Sequence, residues 1–393
     1  MRIADDPQAF EMDTLDEMRA LDVEPGNDSN ASHNGFRVRR GVRACIVPAH
    51  SEANPRLMPA LQNILITGAE GFIGSHLVEA LVAQGRRVRA MALYNSFGHY
   101  GWLDTLAPAT RARIDLVMGD VRDAASVRQA MQGCDAVMHL AALVAIPYSY
   151  TAPSSYVDTN VTGTLHVLQA ARDLELRKVV HTSTSEVYGS AQIIPIPETH
   201  PLLAQSPYAA SKIGADQMAY SYYCAFGTPV ATARPFNTYG PRQSLRAVLP
   251  CIMLQALSAA PRLRLGALAP TRDFNFVTDT VAGLIAILDS DKAVGETIHL
   301  GSGHEISIGD AVRLVAEITG KPLEIEAEPA RLRPAASEVG RLVCDPAKAC
   351  ALLGWQSSLA GREGLKEGLT RSLEWFANPD NRSHYHDAQR YVV

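Results

Sequence analysis

NILITGAEGFIGSHL, residues 63–77, decides the fold. A short apolar run, Asn63 to Thr67, passes through Gly68, Gly71 and Gly74 into a helical stretch reaching Gln84. Gly68 permits the tight turn, Gly71 lets a backbone approach a pyrophosphate, and Gly74 lets the helix pack against the strand. The helix N-terminus then offers unpaired N–H groups and a partial positive charge to phosphates. Glycines alone serve many tight turns for steric reasons. Between a strand and a helix, this spacing specifies a dinucleotide cradle, with Phe72 and Ile73 among its binding residues.

Outward from this loop, short apolar runs alternate with helical stretches, the βαβ signature of a parallel sheet covered on both faces. The strands are expected at Asn63 to Thr67, Arg87 to Ala92, Ile114 to Gly119, Ala136 to Leu140, Lys178 to Ser183 and Pro229 to Arg234. Helices are expected at Gly74 to Gln84, Ala124 to Met131, Asn160 to Leu174, Tyr208 to Phe226, Val277 to Leu288 and Ser307 to Gly320. The fold class is therefore α/β, a Rossmann doubly wound parallel sheet with a smaller, discontinuous C-terminal substrate lobe. Residues 61–235 form the NAD-binding domain with a return segment near 275–300, and 236–376 are mainly substrate lobe. Residues 1–60 are an acidic extension with room for a short helix between Thr14 and Leu21, and 377–393 are a polar, exposed tail.

About 20 residues past the glycines, where an Asp ordinarily grips the ribose, the chain reads RAMALYNSFG. Asn95 is the available ribose partner there. No arginine directly follows the strand to hold a 2′-phosphate, which favours NAD and leaves NADP open. Asp120 with Val121 either meets the adenine or caps a helix, and Leu140, Ala141 and Ala142 leave room for the dinucleotide.

The chain has 393 residues, 47% hydrophobic and 20% charged, with net charge -5 and pI near 6.2. That balance gives no general attraction to nucleic acid or an anionic membrane. The six cysteines are scattered without CxxC or metal-ligand spacing, so neither a metal site nor a disulfide framework is expected. No run approaches a membrane span and the N-terminus is acidic, so a cytoplasmic protein is expected.

Tyr208 and Lys212, in YAASK, lie four apart on one helix face. An ammonium beside a phenol favours phenolate, lowering its pKa from about 10 toward neutrality, so the tyrosine can take a hydroxyl proton while hydride leaves the same carbon. A purely non-catalytic dinucleotide-binding protein has no need of these groups together with Glu186.

The chain resembles the extended short-chain dehydrogenase/reductase family from about Asn63 to Phe376, carrying TGAEGFIGSHL, HLAA, STSEVYG, YAASK, RPFNTYGPRQ and TRDFNFV in the family's order. Within it, the chain looks like the nucleotide-sugar 4,6-dehydratases and UDP-glucuronate decarboxylases. YNSFGHYGWLD and LRPAASEVGRL look most like the legionaminic acid type, which acts on nucleotide-linked N-acetylglucosamine. The resemblance implies that Thr184 orients the sugar 4-hydroxyl and that Ser185 and Glu186 face the sugar beyond it. It also implies that Asn237, Arg242, Arg272 and Arg333 meet the diphosphate or sugar, and that the chain is a homodimer. Many dTDP-glucose dehydratases carry an Asp where Ser185 stands, so Thr-Ser-Glu leaves dehydration, decarboxylation and 4-epimerisation open.

Overall fold

β1 (Asn63–Thr67), β2 (Arg87–Leu93), β3 (Ile114–Gly119), β4 (Ala136–His139), β5 (Lys178–Thr182) and β6 (Val230–Pro235) run parallel in the order β3-β2-β1-β4-β5-β6. The strand Thr297–Leu300, from the expected return segment, adds a parallel seventh member outside β6. This computed structural model describes residues 60–258, 262–385 and 388; the expectations for residues 1–59 and their short helix lie outside them. Ile64, Leu65, Ile66, Val137 and Met138 are fully buried, as strands covered on both faces require. Strand order reverses between β1 and β4, which pair directly with Thr67 beside His139, so a ligand crevice opens beyond their C-terminal ends.

Local chemistry sets the helix ends. Ser206 accepts the Ala209 N–H at 3.1 Å, Pro207 occupies the first turn of the helix Pro207–Phe226, and Gly227 closes it at φ +66. Tyr208 is thereby fixed near the helix N-terminus, above the crevice. The helix expected at Asn160 to Leu174 starts differently. A π-helical turn, Val157–Thr162, precedes the α-helix Gly163–Asp173. The wide turn sets the buried Asn160 amide between the Leu143 main chain and the Ser211 hydroxyl.

Beyond β6, Asn237–Tyr239, Glu305–Ser307 and Arg341–Leu342 all pair with the strand Thr271–Phe276, and Arg262–Leu265 pairs with Glu324–Ala327. One apolar cluster runs from Ile64 and Val88 to Phe274, Leu314 and Leu369, so this lobe shares the core of the main sheet. The segment from Pro379 is exposed at most positions as far as His384, and Tyr385 is half-buried. It makes the short helix Pro379–Arg382, and Tyr385 packs on Phe376 and Trp102, because an aromatic ring gains more from burial than the polar residues around it lose.

Candidate active site

The glycine loop forms a cradle whose shape is set by what cannot fit. A Cβ on Gly68, at φ +68, would fall 2.8 Å from the Ala141 nitrogen, and one on Gly74 would fall 2.2 Å from the Gly68 carbonyl oxygen. At Gly71 only the Gly68 oxygen lies within reach, at 3.3 Å. Gly71 also begins the helix Phe72–Ala83 with no side-chain cap, leaving the first-turn N–H groups for a ligand. Leu140 and Ala141 border this space, held by bonds from their N–H groups to Thr67, and Ala142 follows half-buried. These features fit a dinucleotide.

Three residues expected to touch it are otherwise engaged. The Asn95 amide donates to the Leu93 and His99 carbonyls and accepts from Phe97 and His99, closing its own loop. Asp120 is held by the Arg122 guanidinium, which keeps its carboxyl below the usual range. Val121 is buried against the helix carrying Gly163, where a Cβ would come within 2.8 Å of it.

Above the crevice, the Tyr208 phenol lies beside the Thr184 side chain, whose hydroxyl accepts the Glu186 N–H at 3.2 Å. Ser185 and Glu186 sit in the 3-10 turn Ser185–Tyr188 and are buried beside them. The expected effect of Lys212 on the phenol is corrected here. Burial pushes the Tyr208 phenol well above its ordinary range, opposed by the Thr184 side chain and reinforced by Glu186. Lys212 turns its ammonium to the Thr182 carbonyl at 2.7 Å, and burial, with Arg234 nearby, lowers it to about 8. Proximity along the helix does not fix the direction of a side chain that a buried carbonyl can capture.

Beneath this pair lies a buried polar network that no motif announced. Asp216, one turn after Lys212, accepts from Arg234 at 2.6 Å, from Ser183 at 2.6 Å and meets His181 at 3.0 Å. Burial alone would raise its carboxyl, but Arg234 and His181 hold it well below the usual range. Arg234 continues to the Tyr188 hydroxyl, which meets His299 at 2.5 Å.

On the substrate side, Arg272 is buried, donates to the Thr271 and Val339 carbonyls, and approaches Glu338 at 3.4 Å. Burial lowers its guanidinium, and the nearby Glu186 carboxylate works against that. Arg333 stands 3.9 Å from the same Glu338, with NH1 buried and without a hydrogen bond among the described residues. Asn237, on the strand next to that of Arg272, likewise has a buried, unpartnered Oδ1. The structure thus gathers Glu186, Arg272 and Arg333. It separates Arg242 from them: its guanidinium pairs with Glu79 at 2.7 Å on the cradle helix, because the turn at φ +70 aims it there. Glu338 was invisible to motif reading, since its partners converge only through folding.

Comparison with known proteins follows this geometry. The family described as GDP-mannose 4,6 dehydratase matches residues 65–368. A dTDP-glucose 4,6-dehydratase of Streptomyces antibioticus is 33% identical over 328 residues, covering 82% of this chain and 93% of that protein. The structure of TunA, an NAD-dependent NDP-hexosamine 5,6-dehydratase of tunicamycin biosynthesis, superimposes with TM-score 0.69 at 31% identity, covering 80% of this chain and 97% of that one. UDP-glucuronic acid 4-epimerase from Bacillus cereus, solved with UDP-glucuronic acid and NAD, gives TM-score 0.72 at 27% identity, covering 82% and 100%. The chain belongs to the GDP-mannose 4,6-dehydratase family.

Proposed function

We propose that this chain is an NAD-dependent nucleotide-sugar 4,6-dehydratase that converts an NDP-hexose to a 4-keto-6-deoxy sugar. The observation that carries the reading is the buried Glu186, one turn from the Thr184–Tyr208 pair and across from Arg272. When bound, NAD supplies the reversible hydride acceptor at C4 and donor at C6. Gly68, Gly71, Phe72, Ile73, Gly74, Leu140, Ala141 and Ala142 form its bed. Tyr208, as phenolate, takes the proton of the C4 hydroxyl that Thr184 orients; burial opposes that phenolate, the Thr184 side chain favours it, and Lys212, one turn on along the helix, adds positive charge on the same side. The C4 ketone acidifies the neighbouring C5 hydrogen, which Glu186 removes and hands to the C6 hydroxyl as it leaves as water; as hydride then adds at C6, C5 regains a proton that Glu186 has drawn from solvent. Asn237, Arg272 and Arg333 hold the diphosphate and sugar, the guanidiniums offering paired donors to phosphate oxygens.

An amino-sugar substrate, UDP- or GDP-linked N-acetylglucosamine, is supported by the likeness to a hexosamine dehydratase and by the stretches resembling the legionaminic acid type. The working form is a cytoplasmic homodimer. Within the described residues no helix is long and apolar enough to cross a membrane. A second reading, action on a UDP-glucuronate as decarboxylase or 4-epimerase, is favoured by Arg333, whose buried NH1 lacks a hydrogen bond among the described residues and whose charge suits a sugar carboxylate.

Incubating the chain with UDP- and GDP-N-acetylglucosamine, UDP-glucuronate and dTDP-glucose and weighing the products separates these readings. Loss of the mass of water is expected. Loss of carbon dioxide alone, or a product of unchanged mass, would overturn the dehydratase.

A further inference from the structure

One carboxylate at the end of β2 has no role in what precedes. Glu70 lies in the loop between Gly68 and Gly71, yet its side chain reaches across to β2, where Oε1 accepts the Leu93 N–H at 2.9 Å. Its other oxygen, Oε2, is shielded from solvent and has no partner among the described residues. The residue is pinned from the other side as well. The Trp102 N–H donates to the Glu70 carbonyl at 3.0 Å, and Gly101, at φ +53, comes so near that a Cβ there would lie 2.8 Å from the same oxygen. Burial pushes the carboxyl up from the ordinary range, against the Leu93 bond. A second donor is what the group lacks.

In a strand–turn–helix cradle, the end of the second strand is where the adenosine ribose turns its 2′-hydroxyl, and an acid on that strand accepts from it. Here β2 ends in Leu93 with no such acid, the Asn95 amide closes its own loop, and Asp120 is bound to Arg122. The acid at this place comes from the glycine loop instead.

We propose that Glu70 is the group that grips the cofactor's ribose and rejects its 2′-phosphorylated form, taking over from the strand acid that β2 lacks. The inference rests on the NAD reading above. A carboxylate accepts from a ribose hydroxyl and completes its hydrogen bonding. Facing a 2′-phosphate, it sets like charges together where solvent screens them weakly. Arg122, which follows β3, is already paired with Asp120 at 2.5 Å.

The test is calorimetric titration of the full chain, freed of nucleotide, with NAD, NADP and 2′-deoxy-NAD, for the unaltered protein, Glu70→Gln and Glu70→Ala. The unaltered chain should prefer NAD to NADP by about a hundredfold, and Glu70→Gln should narrow that preference by about tenfold. The narrowing should come mainly from tighter NADP binding, because an amide still accepts a hydroxyl and still receives the Leu93 N–H. Removing the 2′-hydroxyl should weaken binding by about tenfold in the unaltered chain and by little in Glu70→Ala. A residue that merely shapes the loop would weaken both nucleotides alike. The proposal is overturned by an unchanged NAD to NADP ratio in Glu70→Gln of normal melting temperature, or by a 2′-deoxy penalty that persists in Glu70→Ala. An unaltered chain that binds neither nucleotide would remove the NAD reading along with it.

Discussion

On the proposed mechanism, Lys212 should set the upper pH limit of the chemistry. Its ammonium, lowered to about 8 by burial, is lost as pH rises through that value, and with it the positive charge below Tyr208. The phenol, pushed upward by the same burial, gains nothing to compensate until far higher pH. We therefore expect kcat/KM to fall above about pH 8, and the fall to move to higher pH in Lys212→Arg, whose charge persists. Unfolding at this site is not the cause, because the unfolded chain keeps the lysine proton to about pH 10.4, so the site's contribution to stability rises between those values. A pH–rate profile flat to pH 10 would exclude Lys212 from this part. Glu186 carries a second prediction at this scale. Glu186→Gln should still bind NAD but lose about 10²- to 10⁴-fold in turnover and stop solvent deuterium from entering at C5; undiminished exchange would remove it as the base. Both residues stand in motifs that the sequence displays, YAASK and STSEVYG. The direction of the Lys212 effect was not legible there, since it depends on the Thr182 carbonyl that captures the ammonium.

The helix Pro207–Phe226 holds Tyr208 and Lys212 in place because its inner face is tied down by charge. Asp216 sits under Lys212 with Arg234, Ser183 and His181 around it, all buried. Replacing Asp216 by Asn leaves Arg234 buried without its counterion, which should cost about 3–5 kcal/mol in urea unfolding. Arg234→Met with Asp216→Leu, removing both charges, should recover most of that loss. Because Asp216 is held below its ordinary range, its contribution is full above the unfolded value near pH 3.9 and drains away as pH falls toward its folded value. A single variant as stable as the parent would show the ion pair to be dispensable. Strands and helices were legible to within a few residues, because alternation of apolar runs and glycine turns states them directly. The Asp216 network, the π-helical turn at Val157–Thr162 and the pairing of Arg242 with Glu79 were not. Each joins residues far apart in sequence, so nothing local encodes it.

At the scale of the whole molecule, the C-terminal segment reaches back to the cofactor side of the sheet. Trp102 lies 5.7 Å from the Trp375 ring, 5.3 Å from His384 and 5.7 Å from Tyr385. Trp102 also bonds through its N–H to the Glu70 carbonyl in the glycine loop. Trp375, in the helix Gly361–Ala377, and the residues just past Arg382 therefore brace the loop that follows β2 through ring contacts worth about 0.5–1.5 kcal/mol per pair beyond their burial. Ending the chain after Asn378 removes the His384 and Tyr385 contacts but keeps Trp375, so the fold should survive with a lowered melting temperature and a red-shifted tryptophan emission. Affinity for NAD should drop several-fold while affinity for the nucleotide-sugar, which on the proposed reading meets Asn237, Arg272 and Arg333, should stay near that of the full chain. Equal losses for both ligands would mean that the segment supports the fold at large, whereas a loss confined to NAD would locate its effect at the loop between β2 and Trp102.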